Sequence, residues 1–133
     1  METFLRALLC GLFGGIFSPI CFLGTVLSGG MAVGIEHNVQ QRPIPFKETL
    51  WIGLYCGMSA GTFSLIFWYG ILKKTIDSFS WFFALSSGKE LLENTTPILW
   101  QYGIIHFFAC IPLAILGSTC SYSVQQRSNS WDF

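Results

Sequence analysis

Charge is scarce in this chain. Only 11% of its 133 residues are Asp, Glu, Lys or Arg, against about 25% in an average soluble domain, which leaves few charged groups to cover a water-facing surface. Seven basic and seven acidic residues cancel to a net charge of zero. No basic stripe forms, so nucleic-acid binding, which needs clustered Lys and Arg, has no support. The five cysteines at positions 10, 21, 56, 110 and 120 include no C-x-x-C pair. That argues against structural zinc and lets the thiols read as small apolar residues. The only local disulfide candidates are 10 with 21 and 110 with 120. Serine-centred, cysteine-centred and metalloprotease motifs are also missing, and no metal or cofactor ligand set is supplied, so none is expected. Arg6 and the apolar run after it resemble a leader peptide, but the run is too long and lacks a small-x-small cleavage site before a polar chain. It is expected to stay as a membrane anchor.

Apolar residues are abundant: 52% of the chain is hydrophobic, and Phe alone occurs 13 times. Uncharged stretches cover 7–35, 49–72 and 95–126. Each meets the roughly 20 residues a helix needs to cross about 30 Å of hydrocarbon. The expected fold is all-α, a single polytopic membrane helical bundle over 1–133. The first stretch is ambiguous. As one helix, 5–35 would extend about 45 Å, and Pro19, after Ser18, lies near its middle. Either one long kinked helix or a hairpin of two short helices, 4–17 and 21–35, satisfies the pattern, giving three or four spans.

Residues 36–48 form a polar loop that Pro43 and Pro45 keep extended. A helix follows to Leu72, with Trp51 and Tyr55 at one boundary and Trp68 and Tyr69 at the other. The aromatic and serine-rich segment 75–94 is too short to cross. It reads as an interfacial or re-entrant piece, or equally as a loop with buried aromatics. The last span is expected to begin near Pro97, a residue suited to a first helical turn, to bend at Pro112 and to end near Gly117, leaving a flexible polar tail over 118–133.

Glycines recur at a spacing of four: Gly11 and Gly15, Gly30 and Gly34, then Gly53, Gly57 and Gly61. This spacing lines one side of a helix and lets another backbone approach closely. Those glycines pack helices either within one chain or between chains. The second reading makes the protein a homo-oligomer or a partner of other membrane subunits.

The runs Gly29-Gly30-Met-Ala-Val-Gly34 and Arg42-Pro-Ile-Pro-Phe-Lys-Glu48, followed by the central glycine trio, resemble small uncharacterised prokaryotic multi-pass membrane families with glycine-rich helices. The early Gly11, Gly14 and Gly15 and the later Gly29, Gly30 and Ala32 match the openings of their first two helices. The resemblance covers residues 8–72 and brings no function with it. It implies four crossings rather than three, and a prokaryotic inner membrane.

His106 is the only ionisable residue deep in the last span, and such a residue is a functional candidate. Tyr102 and Cys110 lie four residues to either side. With Ser64 they form a candidate polar path, although a neutral histidine satisfied inside the bundle is the simpler expectation. His37 is expected in solvent. Glu36 and Glu48 bracket the loop near Arg42 and Lys47 and could run acid–base chemistry only if held together in a cleft. Lys73 and Lys74 are candidate lipid-headgroup contacts. These features favour a structural or assembly subunit first, a small transporter or channel component second and a lipid-directed membrane enzyme third. With an even number of spans, both termini are expected in the cytoplasm.

Overall fold

The computed structural model describes residues 2–17, 22–67, 70, 71, 74, 75, 78 and 88–129. Among the described residues there are four long helices and no strand: α1 (Glu2–Phe17), α2 (Leu23–Gln40), α3 (Phe46–Phe67) and α4 (Gly88–Asn129). Two segments, Phe46–Phe67 and Trp100–Arg127, are long and apolar enough to cross a membrane. With 16 and 18 residues, α1 and α2 are about 24 and 27 Å long at 1.5 Å per residue.

The first hydrophobic stretch is two helices, not one. Arg6 near the start of α1 lies 3.0 Å from Glu36 near the end of α2. Thirty residues of continuous helix would hold them about 45 Å apart. The chain therefore doubles back between α1 and α2; Ser18 and Pro19, where the sequence places the reversal, lie outside the described residues. At the other end of α2, Gln41 takes the left-handed conformation (φ 49°) and donates its N–H to the His37 carbonyl at 2.9 Å. That closes the last turn. Pro43 and Pro45 then keep the link extended, and α3 starts at Phe46.

Glycine contacts give the directions. Moving along α3, Gly53 meets Ser118 and Ile115, Gly57 meets Ile111, and Gly61 meets Phe107, so α3 and α4 are antiparallel. Gly11 faces Cys56 and Ser59, while Gly15 faces Ala60 and Phe63, so α1 and α3 run parallel. The helices alternate up and down and pack in the spatial order α1, α2, α4, α3. α2 and α3 also touch across one diagonal, whereas α1 and α4 occupy opposite corners without meeting.

The interior is built from small and polar residues. Ala7, Ala32, Ala60 and Ala114 are buried beside Thr25, Ser28, Thr49, Ser64 and Ser118. Large side chains point outward: Phe13 is 68% exposed, Ile105 66% and Leu27 64%. Small residues bring the axes together, and dispersion along the close seams holds them. At the tightest seam, a Cβ on Gly117 would stand 1.9 Å from the Val26 carbonyl oxygen.

Three boundaries differ from the sequence reading. Pro97 does not start the last helix, because α4 begins at Gly88 and runs through both Pro97 and Pro112. A proline removes its own N–H from the ladder and crowds the carbonyl four residues back, and the turns on either side carry the helix past it. The part of 75–94 from Gly88 onward belongs to α4, and most of the remainder lies outside the described residues. Residues 118–129, expected as a flexible tail, are helical. They pack beside the start of α3, where the rings of Tyr122 and Phe46 are 5.6 Å apart.

Candidate functional site at the loop end of the bundle

The most highly organised polar cluster sits where α1 begins, α2 ends and α3 begins. Its centre is Glu36, which is 2% exposed. An isolated buried carboxylate would be very costly, but this one is surrounded by donors. Thr3 Oγ1 donates to Glu36 Oε1 at 2.7 Å, Arg6 Nη1 donates to Oε2 at 3.0 Å, and Gln40 Nε2 also donates to Oε1. Arg6 is itself steadied by Glu2, four residues back, at 3.0 Å. Burial pushes the Glu36 carboxyl up, but the hydrogen bonds from Thr3, Gln40 and Arg6, with the Arg6 charge, outweigh it and hold the group below the usual glutamate range. Glu36 is therefore a fixed anion that ties α1 to α2.

Beside it opens a cleft of about 330 Å³, with Thr3, Gln40, Arg42 and Glu48 along its polar side and Phe4, Trp51 and Tyr55 among its apolar ones. Arg42 donates through Nε to Gln40 Oε1 at 2.6 Å. Its Nη2 stands 3.8 Å from Glu48 Oε2, so this is an ion pair beyond hydrogen-bond length, between two partly exposed groups. Trp51 stacks on Tyr55 at 5.8 Å, and Phe4 meets Tyr55 edge-on at 4.9 Å. His37 lies on the outer side of the loop, with Nδ1 at 3.1 Å from the Arg42 carbonyl.

Glu36 and Glu48, which acid–base chemistry would need held together in a cleft, take separate cationic partners. Glu36 is held by Arg6 and Glu48 faces Arg42. The separation follows from the fold: Glu36 points between α1 and α2, whereas Glu48 sits on the first turn of α3.

A second polar feature runs through the middle of the bundle. His106 and Cys110 are buried, and Tyr102 is exposed but stacks on the His106 ring at 6.2 Å. Phe22, the residue that precedes α2, meets the His106 ring at 4.9 Å. Thr25 Oγ1 and Cys110 Sγ are 3.7 Å apart, Ser28 Oγ donates to the Thr25 carbonyl at 2.8 Å, and Cys56 Sγ donates to Ser28 Oγ at 3.4 Å. Ser64 is buried on α3, and its hydroxyl has no hydrogen-bond partner among the described residues. The side chains proposed from sequence therefore do share the bundle interior, apart from the exposed Tyr102. Sequence reasoning missed Thr25, Ser28 and Cys56, which continue the seam.

Six of the seven packing glycines meet another helix of the same chain, and only Gly34 has nothing within 4 Å of its Cβ position. Lys74 is exposed, while Lys73 lies outside the described residues. Cys10, Cys56 and Cys110 are buried and Cys120 is exposed, and 110 and 120 are not bridged to each other. Among the described residues, no three His, Cys, Asp or Glu side chains converge as a metal-ligand set. Arg6 and Thr3 were overlooked as partners of Glu36 because they lie 30 and 33 residues away. The one local signal was Gln40, a turn beyond Glu36. Comparison with protein-family models, curated proteins and solved structures finds no match for this chain.

Proposed function

We propose that this chain is an integral membrane protein of four crossings that acts as a structural or assembly subunit, either as a homo-oligomer or with other membrane proteins. The inside-out distribution of side chains carries the reading. Large apolar groups such as Leu9, Phe13, Leu27, Ile66, Ile105 and Phe108 face outward, while Ala, Gly, Ser, Thr and Cys fill the interior. Water would penalise such a surface, since soluble monomers rarely expose apolar patches beyond a few hundred Å². Lipid matches it. The short α1 and α2 are accommodated by local thinning of the bilayer or by leaning on α3 and α4.

The antiparallel order supports both termini on one face. Arg6, Arg42, Lys47 and Arg127 belong to the loop end, and Lys73, Lys74 and Lys89 to the α3–α4 connection and the start of α4. Four cations against three do not decide the orientation; we take the loop end as cytoplasmic, in a prokaryotic inner membrane. Because most glycine seams are used within the chain, a partner would meet the outer aliphatic and aromatic faces instead. Native mass spectrometry from nanodiscs tests this: a stable dimer, higher oligomer or mixed complex is expected, and a solitary chain at all accessible concentrations would overturn the subunit reading.

The seam of Thr25, Ser28, Cys56, Ser64, His106 and Cys110 favours a second reading, a small transporter or channel component. The form of that reading based on a broken helix has no support at Pro112, where α4 is continuous. Solute flux in liposomes that disappears in His106→Ala would favour transport, and absence of flux would count against it.

A further inference from the structure

The cleft at the loop end continues into an apolar groove between α1 and α3. Phe4 and Tyr55 border both. The groove encloses about 470 Å³ and passes Leu8, Leu12, Met58, Phe63 and Ile66. From Tyr55 to Ile66 is 11 residues, about 17 Å along α3 at 1.5 Å per residue. Half of a 30 Å hydrocarbon core is about 15 Å. A polar cradle followed by an apolar groove about 17 Å long, close to the reach of one acyl chain, has the dimensions of a phospholipid. We propose that this cleft and groove form a binding site for one phospholipid with a zwitterionic, ammonium-bearing headgroup. The inference rests on the membrane reading above and adds a specific ligand to it.

Charge complementarity selects that headgroup. Arg42 presents a guanidinium that suits a phosphate, and Glu48 presents a carboxylate that suits an ammonium. The two are 3.8 Å apart, beyond direct hydrogen-bond length, so each has capacity for an inserted group of opposite charge. The Glu36 anion is already satisfied by Thr3, Arg6 and Gln40. Its role is positional: it holds the two cleft-lining side chains Thr3 and Gln40, and Gln40 in turn orients Arg42. Tyr55 and Trp51 sit at the depth where amphipathic rings meet headgroups. A purely anionic lipid would satisfy Arg42 and be repelled by Glu48.

The test is native mass spectrometry of the detergent-purified chain after titration with dioleoylphosphatidylethanolamine, and separately with dioleoylphosphatidylglycerol. One ethanolamine lipid should remain bound per chain under activation that strips the glycerol lipid. The double variant Arg42→Ala, Glu48→Gln should lower its occupancy about tenfold, the loss expected from removing one or two charge-assisted contacts. Thr62→Trp should abolish retention by filling the groove, since Thr62 lines it and is exposed. Leu27→Trp, on the exposed side of α2, should leave retention intact. Equal retention of both lipids, or equal retention in all variants, overturns the site while leaving the membrane reading standing. A chain that is folded and monodisperse without amphiphile overturns both.

Discussion

Alanine in place of glycine should have opposite effects at two positions of this bundle. At Gly117 the added Cβ would lie 1.9 Å from the Val26 carbonyl oxygen, and 2.8 Å from the carbonyl carbon. Both atoms are backbone and cannot rotate away. Restoring an ordinary contact of 3.4 Å requires α2 and α4 to part by roughly 1.5 Å at this point, on the scale at which dispersion across a seam is largely forfeited. Overpacking of this kind costs about 1–3 kcal/mol, and the gain of about 1 kcal/mol in helix propensity does not offset its upper range. At Gly34 nothing lies within 4 Å of the new methyl group, so only the propensity gain remains, about 0.5–1 kcal/mol. Thermal unfolding in one detergent, followed by loss of the monodisperse peak, gives the comparison. Gly117→Ala should unfold at lower temperature than the parent and Gly34→Ala at the same or higher temperature. Equal shifts, or a reversed order, would refute the assignment of the α2–α4 seam.

Gly57→Leu should destabilise the single chain, because even a Cβ there meets Ile111 Cα at 2.7 Å; a variant with unchanged melting and altered oligomer mass would place that glycine at an interface between chains. Arg6→Ala should cost about 3 kcal/mol by leaving the buried Glu36 without its cation, measurable by the same unfolding assay, and Arg6→Ala combined with Glu36→Gln should recover much of the loss. The Glu36 carboxyl is depressed in the folded protein, so its contribution is present above the unfolded glutamate value near 4.3 and is lost as pH falls through the lower folded value. Melting temperature should therefore drop more steeply in the parent than in Glu36→Gln as pH is lowered from about 5 to 3, and parallel curves would contradict the linkage. Of the four thiols described, Cys120 alone should react with a small maleimide in the folded protein, since Cys10, Cys56 and Cys110 are buried; prompt labelling of any of those three at a rate matching Cys120 would count against the packing.

The strongest helices were legible because their signals are local. The uncharged stretch carrying Gly53, Gly57 and Gly61 maps onto α3, and the tryptophan and tyrosine near its start mark where the polar loop gives way. The turn between α1 and α2 was not decidable from Pro19, since one proline is compatible with a kink or a reversal. The difference is made by Arg6 and Glu36, two charges 30 residues apart that no periodicity connects. Local punctuation misled at α4: Pro97 fits a first turn equally well, and the polar residues after Ser118 suggest fraying. Their helical state depends on Phe46 and the loop beside Tyr122, contacts set by the tertiary arrangement. Glycine spacing announced close packing but could not say which helix would fill each gap. The polar seam was half visible, because His106 stands out as ionisable whereas Thr25, Ser28 and Cys56 are chemically ordinary until the helices face one another.

Spin labels placed singly at Leu9, Phe13, Leu27, Ile66 and Ile105, all outward-facing, provide the most direct measurement of what surrounds this bundle. In reconstituted bilayers each label should be relaxed strongly by dissolved oxygen, which concentrates in hydrocarbon, and weakly by a water-soluble nickel chelate. Free access of the nickel chelate to Phe13 and Leu27 would show that water bathes these faces, and the membrane-embedded bundle would be wrong.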